Sequence, residues 1–219
     1  MTRVTVIDYK AGNLTSVVKA LRYLGAEVTV TGDPLVVAQA ERIILPGVGH
    51  FAATARLDAT GLKPAIREAI ARGIPFLGIC VGMQWLLRGS KEAPEQPGLG
   101  HFTAWCGRFP DGRGKVPHVG WNQVQLDFDA GRPMRIMNGI KNNEFVYFTH
   151  SYFAPSDTAV LDSLETAGPN DPSAAHTTYI VPFCSVLEWK NVFGVQFHPE
   201  KSGETGLKIL RNFLEIKPC

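Results

Sequence analysis

The stretch Pro75-Phe76-Leu77-Gly78-Ile79-Cys80-Val81-Gly82 decides the fold class, because an apolar strand runs directly into a helix within it. Residues 75–79 form the unbroken apolar run that is typical of a strand covered on both faces. A predicted helix over 81–87 follows without a spacer. The pattern Gly-x-Cys-x-Gly at such a junction is typical of a nucleophile elbow, where neighbouring backbones leave no room for a Cβ. We therefore predict that Cys80 lies on a strained turn at a helix N-terminus, which favours its thiolate.

The residues on either side of this stretch indicate the rest of the architecture. Before it, predicted strands at 3–8, 27–31 and 42–45 alternate with apolar residues at helical spacing, including a helix over 62–72. This alternation implies right-handed βαβ units and a parallel sheet. After about residue 98, Gly and Pro separate short β-like segments, and a closing amphipathic helix begins near 202–204; the segments are 119–126, 144–149, 177–189 and 191–197. We predict one α/β domain over residues 1–219, with a doubly wound, mainly parallel sheet and antiparallel additions.

The composition excludes several classes of function. The 219 residues are 45% hydrophobic, and 22 Lys plus Arg stand against 20 Asp plus Glu with no long basic run. Neither a nucleic-acid groove nor a basic membrane patch is expected. The first residues lack the apolar core of a signal peptide and no segment has the length of a membrane span, so we expect a cytoplasmic protein. Its four cysteines have no C-x-x-C spacing and are interpreted as thiols.

A second motif near the C-terminus, His198-Pro199-Glu200, supplies what a thiolate nucleophile needs. The proline and the extended backbone before it can hold the imidazole and the carboxylate on one side of the chain. By itself, a cysteine in an apolar run is more often a packing residue, and a His near an acid on a loop is more often solvated. The two motifs together favour a catalytic set in which Cys80 attacks, His198 transfers protons and Glu200 orients the imidazole.

Acyl transfer also requires N–H donors for the oxyanion, and Pro46-Gly47-Val48-Gly49 follows the third predicted strand. We predict that the backbone N–H groups of Val48 and Val81 form this oxyanion hole. The alternative is a simple glycine-rich turn, but the carboxyl ends of parallel strands are where ligands bind in such sheets. The sequence contains no metal-binding, P-loop or dinucleotide-binding motif, so neither a metal nor a cofactor is expected.

These motifs resemble those of the class I, triad-type glutamine amidotransferases. More narrowly, the chain resembles the glutaminase subunits of imidazole glycerol phosphate synthase of histidine biosynthesis, in blocks that keep the family's order over nearly the whole chain. The segments 127–137 and 165–178 depart from the pattern in length or regularity. The blocks are Ile7-Asp8-Tyr9 with Gly12-Asn13-Leu14 and Ser16-Val17, Pro46-Gly47-Val48-Gly49, Gly78-Ile79-Cys80-Val81-Gly82-Met83-Gln84, Lys115-Val116-Pro117-His118-Val119-Gly120-Trp121-Asn122, Tyr147-Phe148 with His150-Ser151-Tyr152, and Gln196-Phe197-His198-Pro199-Glu200-Lys201-Ser202.

The resemblance implies further roles, residue by residue. It implies the same triad, Cys80, His198 and Glu200, and a glutamine substrate held near Gly49, Gln84, Glu92, Ser151 and Tyr152. It also implies a heterodimer with a (β/α)8 cyclase, which would use the ammonia to make imidazole glycerol phosphate and an aminoimidazole carboxamide ribotide. The residues expected to face that partner are Asn13, Trp121, Asn122, Tyr147 and Lys201. His118 and His150 match no triad role and are interpreted as structural or gating residues.

Three alternatives remain open at this point. The chain could be the glutaminase subunit of another synthase, for anthranilate, a purine intermediate or an amino sugar. It could be a thiol hydrolase or peptidase without a partner. A binding module that keeps the elbow only for its fold is disfavoured by the intact triad. For the main interpretation we also expect the isolated chain to be nearly inactive, because the loop at Gly49 would be misoriented until the complex forms.

Overall fold

The computed structural model describes residues 1–11, 14–126, 133–156 and 173–218. In chain order the strands are β1 (Arg3–Ile7), β2 (Glu27–Thr31), β3 (Ile43–Gly47), β4 (Phe76–Cys80), β5 (Gly89–Ser90), β6 (Ala93–Pro97), β7 (Trp105–Arg108), β8 (His118–Leu126), β9 (Glu144–His150), β10 (Tyr152–Pro155), β11 (Ser173–Thr178), β12 (Pro182–Trp189) and β13 (Val192–Val195). The helices are α1 (Leu14–Tyr23), α2 (Pro34–Ala38), α3 (Ala55–Ala59), α4 (Leu62–Ala71), α5 (Val81–Trp85) and α6 (Gly203–Glu215). Single 3-10 turns form at Phe51–Thr54, Arg135–Met137 and Pro199–Lys201.

The strands of the described residues join in one sheet whose centre is parallel. The order β2-β1-β3-β4-β13 is parallel throughout, and β12 and then β10 continue it in antiparallel pairing. The small strands β7, β5 and β6 extend this edge. Strand β11 pairs with β12 and carries the β8–β9 hairpin. The predicted α/β class, the parallel first half and the antiparallel additions are confirmed.

Apolar strands and amphipathic helices explain why the two central strands are buried. All five residues of β3 and of β4 are buried, as the apolar run in the sequence predicts. Helix α6 begins at Gly203, where the sequence predicts it, and buries Ile209, Leu210 and Phe213. Helix α5 follows β4 directly but ends at Trp85, two residues before its predicted end. The elbow therefore lies in the middle of the core layer rather than at an edge.

The second half differs from the sequence prediction at one point. The segment 177–189 is predicted as one β-like run, but the chain reverses direction within it at Tyr179 and Val181, between β11 and β12. The predicted strands near 119–126 and 144–149 are confirmed as β8 and β9, which pair from His118 opposite His150 to Val124 opposite Glu144. The segments 127–137 and 165–178, which depart from the family pattern, are described only in part. Their described residues form the 3-10 turn Arg135–Met137 and β11. No helix among the described residues has the length and apolar character to cross a membrane.

Candidate active site

The elbow at Cys80 has the strained backbone that the sequence predicts. Cys80 is the N-cap of α5 and has φ 54° and ψ −109°, a conformation that non-glycine residues rarely adopt. Its side chain is 3% exposed. The turn therefore directs a buried thiol from the carboxyl end of β4 toward the open side of the sheet.

Two glycines make this turn possible by letting other backbone segments approach. A Cβ on Gly78 would collide with the carbonyl group of Gly82, and a Cβ on Gly82 would collide with the carbonyl oxygen of Leu45 in β3. Helix α5 can begin immediately after β4 only because both positions lack a side chain. The two glycines that flank Cys80 in the sequence are thus a steric requirement of the elbow.

His198 and Glu200 form a buried pair beside the elbow. His198 Nδ1 lies 2.9 Å from Glu200 Oε1, and the two side chains are only 1% and 2% exposed. Pro199 opens the 3-10 turn Pro199–Lys201 between them, and Ser202 Oγ donates to the His198 carbonyl oxygen. Proline and the serine bond fix the backbone, so the carboxylate accepts the Nδ1 proton and leaves the other imidazole nitrogen free to act.

That second nitrogen faces the nucleophile. His198 Nε2 is buried and makes no hydrogen bond within the described part of the chain. Burial opposes protonation of His198, but its close interactions with Cys80 and then with Glu200 outweigh burial and raise its pKa to about 10. The arrangement therefore favours an imidazolium beside the Cys80 sulfur, with a proton ready for a leaving group.

A cavity of about 230 Å³ opens above the thiol, and the structure brings the predicted substrate residues to it. The lining includes all five of them: Gly49, Gln84, Glu92, Ser151 and Tyr152. Glu92 is held in place because its Oε2 accepts a hydrogen bond from the Phe51 backbone N–H at 2.7 Å. A carboxylate and several carbonyl and amide groups around one thiol suit a small polar substrate with an ammonium group.

The predicted oxyanion loop lies beside the elbow. Gly47 pairs with Cys80 in the β3–β4 register, so residues 48 and 49 leave the sheet next to the nucleophile. Val81 and Gly49 line the cavity, whereas Val48 is half-buried and is not among the lining residues. Gly49 has φ +96°, which favours glycine. The assignment of the Val48 and Val81 N–H groups to the oxyanion hole stays a prediction.

Several residues of the site are absent from the predicted set. Gln196 is fully buried, and its Nε2 donates to Cys80 Sγ at 3.6 Å. The cavity lining also includes Pro117, Thr149 and His150. A glutamine between valine and phenylalanine was a usable signal for Gln196, because a polar residue inside an apolar run needs a partner. Thr149 has no comparable mark in the sequence.

The residues predicted to face a partner lie on the β8–β9 hairpin and beside it. Trp121 is 55% exposed and its ring packs edge-on against Tyr147, with centroids 6.0 Å apart. Lys201 Nζ lies 5.8 Å from the Tyr147 ring centroid. Asn122 is half-buried and donates to the Thr178 carbonyl oxygen. The structure thus groups three of the five, Trp121, Tyr147 and Lys201. The Asn122 side chain lies on the other face of β8, and Asn13 lies outside the described residues. Within the described ranges, no cluster of three or more potential metal ligands occurs.

The sequence model of the family described as Glutamine amidotransferase class-I matches residues 5–216. The chain therefore belongs to this class and is a glutamine amidotransferase, in agreement with the elbow, the His–Glu pair and the cavity.

Full-length relatives define the family more narrowly. A protein of Caldanaerobacter subterraneus subsp. tengcongensis is 43% identical over 98% of this chain and 98% of its own length, and one of Methanothermobacter thermautotrophicus is 42% identical over 97% and 98%. Both are called imidazole glycerol phosphate synthase subunit HisH. The chain belongs to the HisH family.

Solved structures support the fold independently. A glutamine amidotransferase crystal structure superimposes with a TM-score of 0.68 at 19% identity and covers 97% of both chains. The structure of PurLQS from Thermotoga maritima gives a TM-score of 0.67 at 20% identity, again over 97% of both chains. At this identity the similarity concerns the fold alone.

Proposed function

We propose that the chain, acting as one domain over residues 1–219, is the glutaminase subunit of imidazole glycerol phosphate synthase. It hydrolyses glutamine to glutamate and ammonia through Cys80, His198 and Glu200. The observation that carries the proposal is the strained, buried Cys80 under a polar cavity, next to a His198–Glu200 pair in which Glu200 holds Nδ1 of the imidazole. Relatives that are 42–43% identical over nearly their whole length bear the name of this synthase.

In the first half of the reaction the Cys80 sulfur forms a bond to the side-chain amide carbon of glutamine. The carbonyl π electrons move to oxygen, and the backbone N–H groups of Val48 and Val81 stabilise the oxyanion. The C–N bond then breaks as His198 transfers its proton to the departing nitrogen. Ammonia leaves, and a γ-glutamyl thioester on Cys80 remains.

In the second half a water molecule replaces ammonia in the cavity. His198, now neutral, removes a proton from the water as oxygen attacks the thioester carbon. The C–S bond breaks, glutamate is released, and the sulfur and the imidazole return to their starting charges. Glu200 accepts the hydrogen bond from His198 Nδ1 throughout, so that Nε2 performs every proton transfer.

Charge and position support glutamine as the substrate. Glu92 presents a carboxylate to the cavity and is fixed by the Phe51 N–H, so it can bind an α-ammonium group. Ser151 and Tyr152 also line the cavity and can bind the α-carboxylate or the amide through backbone groups. A substrate held at both ends presents its side-chain amide to the sulfur at the base.

The outer face of the β8–β9 hairpin supports a protein partner, which we propose is a (β/α)8 cyclase in a heterodimer. Val119, Trp121 and Phe145 are 52–55% exposed, and Tyr147 lies on the same face opposite Trp121. We call these four residues the hairpin face. Exposed aromatic residues that cluster in this way are typical of interface centres. Lys201, directly after Glu200, lies over the Tyr147 ring of this face, and Asn122 is the next residue of β8 after Trp121.

The chemistry gives a reason for such a partner. Ammonia released into water at neutral pH is protonated and loses its nucleophilic electron pair, so it must pass through protein to a synthase that consumes it. We include in the proposal that the cyclase activates this chain by reorienting the loop at Gly49, whose φ of +96° allows a change of conformation. We also place the enzyme in the cytoplasm, where thiols such as Cys80, Cys106 and Cys184 stay reduced.

Labelling with a glutamine-like electrophile tests the site. The full chain, with and without the cyclase, is incubated with a chloroketone analogue of glutamine, and the modified peptide is mapped by mass spectrometry. We expect one adduct, on Cys80, formed faster in the complex and suppressed by excess glutamine. Cys106 and Cys184 are the internal controls, since both are buried and burial raises the pKa of Cys106 well above its usual value. An adduct on either control cysteine contradicts the proposal.

The remaining candidates make different predictions in the same preparation. A glutaminase of another synthase would still be labelled at Cys80, but the cyclase would neither bind nor accelerate it. A hydrolase without a partner would turn over glutamine or γ-glutamyl peptides equally well alone. Glutamine turnover by the isolated chain at the rate of the complex would refute the activation step.

A further inference from the structure

Two buried histidines beside the cavity have no role in the reaction described above. His118 in β8 and His150 at the end of β9 are direct partners in the antiparallel pairing, and they are 3% and 6% exposed. His118 Nδ1 lies 3.1 Å from His150 Nε2. His150 Nδ1 lies 2.9 Å from the Tyr152 carbonyl oxygen, next to the cavity. Two imidazoles in hydrogen-bond contact within an apolar core require an explanation, because such groups are costly to bury.

The ends of this contact determine which nitrogen of each ring holds the proton. The Tyr152 carbonyl oxygen only accepts, so His150 donates from Nδ1. A neutral His150 then accepts at Nε2, and His118 donates to it from its own Nδ1. His118 Nε2 is therefore an acceptor, and the Asn122 side-chain amide lies 3.4 Å from it as the donor. One set of directions satisfies every partner, with both rings neutral and protonated at Nδ1.

The surroundings keep both rings neutral. The His118 ring is stacked between Tyr179, at 4.0 Å between centroids and 14°, and Phe148, at 4.8 Å and 21°. Burial lowers the pKa of His118 to about 4. Burial, together with the nearby His118 and His198 rings, lowers the pKa of His150 to about 3, although its bond to Tyr152 acts in the opposite direction. At neutral pH each ring thus has one donor and one acceptor.

The Tyr152 carbonyl oxygen connects the histidines to the nucleophile. Gln84 Nε2 donates to this oxygen at 2.8 Å and also to Gln196 Oε1 at 3.1 Å. Gln196 Nε2 in turn donates to Cys80 Sγ at 3.6 Å. We call this chain of contacts the buried relay, and its members in order are Asn122, His118, His150, Tyr152 through its carbonyl, Gln84, Gln196 and Cys80.

We propose that His118 and His150 are positioning residues for the glutaminase reaction. They hold the Tyr152 carbonyl, which orients the Gln84 amide, and Gln84 in turn orients Gln196 so that Gln196 Nε2 donates to Cys80. The inference rests on the proposed function, since it concerns the same site. A glutamine amide can rotate by 180° and exchange its donor for its acceptor, unless fixed partners forbid it. The carbonyl, held by His150 on one side, fixes Gln84, and Gln84 fixes Gln196. A misdirected Gln196 would present its oxygen to the sulfur and repel the thiolate.

The protonation pattern is testable without any reaction. The full chain is labelled with ¹⁵N in its imidazole rings, and two-bond ¹H–¹⁵N spectra at pH 7 report the protonated nitrogen of each of the six histidines. The variants His118→Asn and His150→Asn assign the two signals. We expect His118 and His150 to be neutral and protonated at Nδ1, although the Nε2–H form predominates for histidine in water. Nε2–H or a charged ring at either position overturns the proposal.

Two substitutions of His150 then separate positioning from packing. Asn places its amide N–H where Nδ1 stands and can still donate to the Tyr152 carbonyl, whereas Gln reaches the Nε2 position and abandons that bond. Both are assayed for glutamine hydrolysis in complex with the cyclase. We expect kcat/KM to fall at least tenfold for His150→Gln and to stay within threefold of wild type for His150→Asn, with little change in KM for either.

The other outcomes are equally informative. Equal losses of kcat/KM in the two variants would indicate that His150 acts by packing. No loss of kcat/KM in either variant would mean that the buried relay does not affect the reaction. Either result overturns the proposal. A wild-type complex that does not hydrolyse glutamine in a Cys80-dependent manner would instead contradict the proposed function. The imidazole spectra distinguish these failures, because they test the relay whether or not the reaction occurs.

Discussion

Gly82, the third residue of the elbow motif after Gly78 and Cys80, packs its Cα against the carbonyl oxygen of Leu45 in the neighbouring strand, with no space for a Cβ between them. This contact locks the start of α5 onto β3 and so sets the distance between the nucleophile and the loop at Gly49. Since the obstructing atom is backbone, it can move away only if β3 shifts. The turn at Cys80 therefore cannot move without a shift of β3 at the centre of the sheet.

Gly82→Ala is predicted to destabilise the protein. Alanine favours a helix over glycine by about 1 kcal/mol, but overlap with a strand backbone in a packed core costs about 3 kcal/mol. The steric effect wins, so the free energy of unfolding should fall by about 2 kcal/mol in urea titrations. Gly107→Ala is the matched control, because its Cβ would meet nothing closer than Phe153 at 3.9 Å. Equal stability of the two variants would mean that the elbow relaxes more easily than its contacts indicate.

Cys80→Ser is predicted to separate the two half-reactions. Serine at this position lacks a thiolate, so glutamine-dependent synthesis by the complex should fall at least 10³-fold, a magnitude typical of the loss of a covalent nucleophile. Synthesis from added ammonium salt should remain, because ammonia enters after the step that Cys80 performs. Product formation is followed by absorbance with each nitrogen source. Cys184→Ala, in a buried strand away from the cavity, should leave both activities unchanged. Loss of the ammonium-dependent activity in Cys80→Ser would contradict the prediction that Cys80 acts only in the release of ammonia from glutamine.

Glu200→Gln is predicted to change both the rate and the pH profile. The amide oxygen can still accept from His198 Nδ1, but the negative charge that helps to raise the pKa of His198 is lost, after Cys80 the second favourable contribution. The pKa of His198 is therefore lower in the variant, and the imidazolium that protonates departing ammonia loses its proton at a lower pH than in the wild type. The alkaline limb of kcat/KM should move toward neutrality, and kcat should fall on the order of 10²-fold. Glu204→Gln, which removes an exposed carboxylate at the start of α6, should alter neither.

The elbow at Cys80, the His198–Glu200 pair and the parallel half of the sheet were predictable, because their signals are local in the sequence. The apolar run 75–79, the two glycines that flank Cys80 and the His198-Pro199-Glu200 motif can each be recognised from adjacent residues alone. The buried relay was not predictable in this way. Gln84 and Gln196 are 112 positions apart, and their contact depends on the β4–β13 pairing and on the position of β10. Side-chain partners set by the register of distant strands leave no periodic signal in either segment.

Two misjudged segments have the same physical cause. Residues 179–181 are apolar and lead into the apolar start of β12, so the apolar pattern does not mark the reversal there. Strands β5 and β6 contain two and five residues, with proline at both Pro94 and Pro97, and too few positions to show alternation. They form because β5 pairs with β6 on one side and with the distant strand β7 on the other, which is a tertiary effect.

The neutral histidine pair predicts a loss of stability in acid. The folded-state pKa values of His118 and His150, about 4 and about 3, lie below the usual 6.5, so between pH 6.5 and 4 the unfolded chain binds more protons. Stability therefore falls as the pH decreases through this window, by up to about 1.4 kcal/mol per pH unit for each group. Wild type and His150→Asn are unfolded in urea at pH 7.0 and 4.5. The variant should lose about 2 kcal/mol less than wild type over this interval, and an identical loss would mean that His150 is protonated in the folded protein.

Trp121→Ala is predicted to weaken the complex with the cyclase. More than half of the Trp121 side chain is exposed in the isolated chain, yet its ring is held by Tyr147, which lies under Lys201. A large aromatic side chain that is already oriented loses little entropy on binding, so its removal should reduce affinity by about 2 kcal/mol, or about 30-fold in Kd. Titration calorimetry with the cyclase measures this. Trp105→Ala is the control, because Trp105 is 39% exposed on β7, which follows β10 and does not pair with the β8–β9 hairpin. If Trp105→Ala weakened binding and Trp121→Ala did not, the cyclase would dock at the β5–β7 edge rather than on the hairpin face.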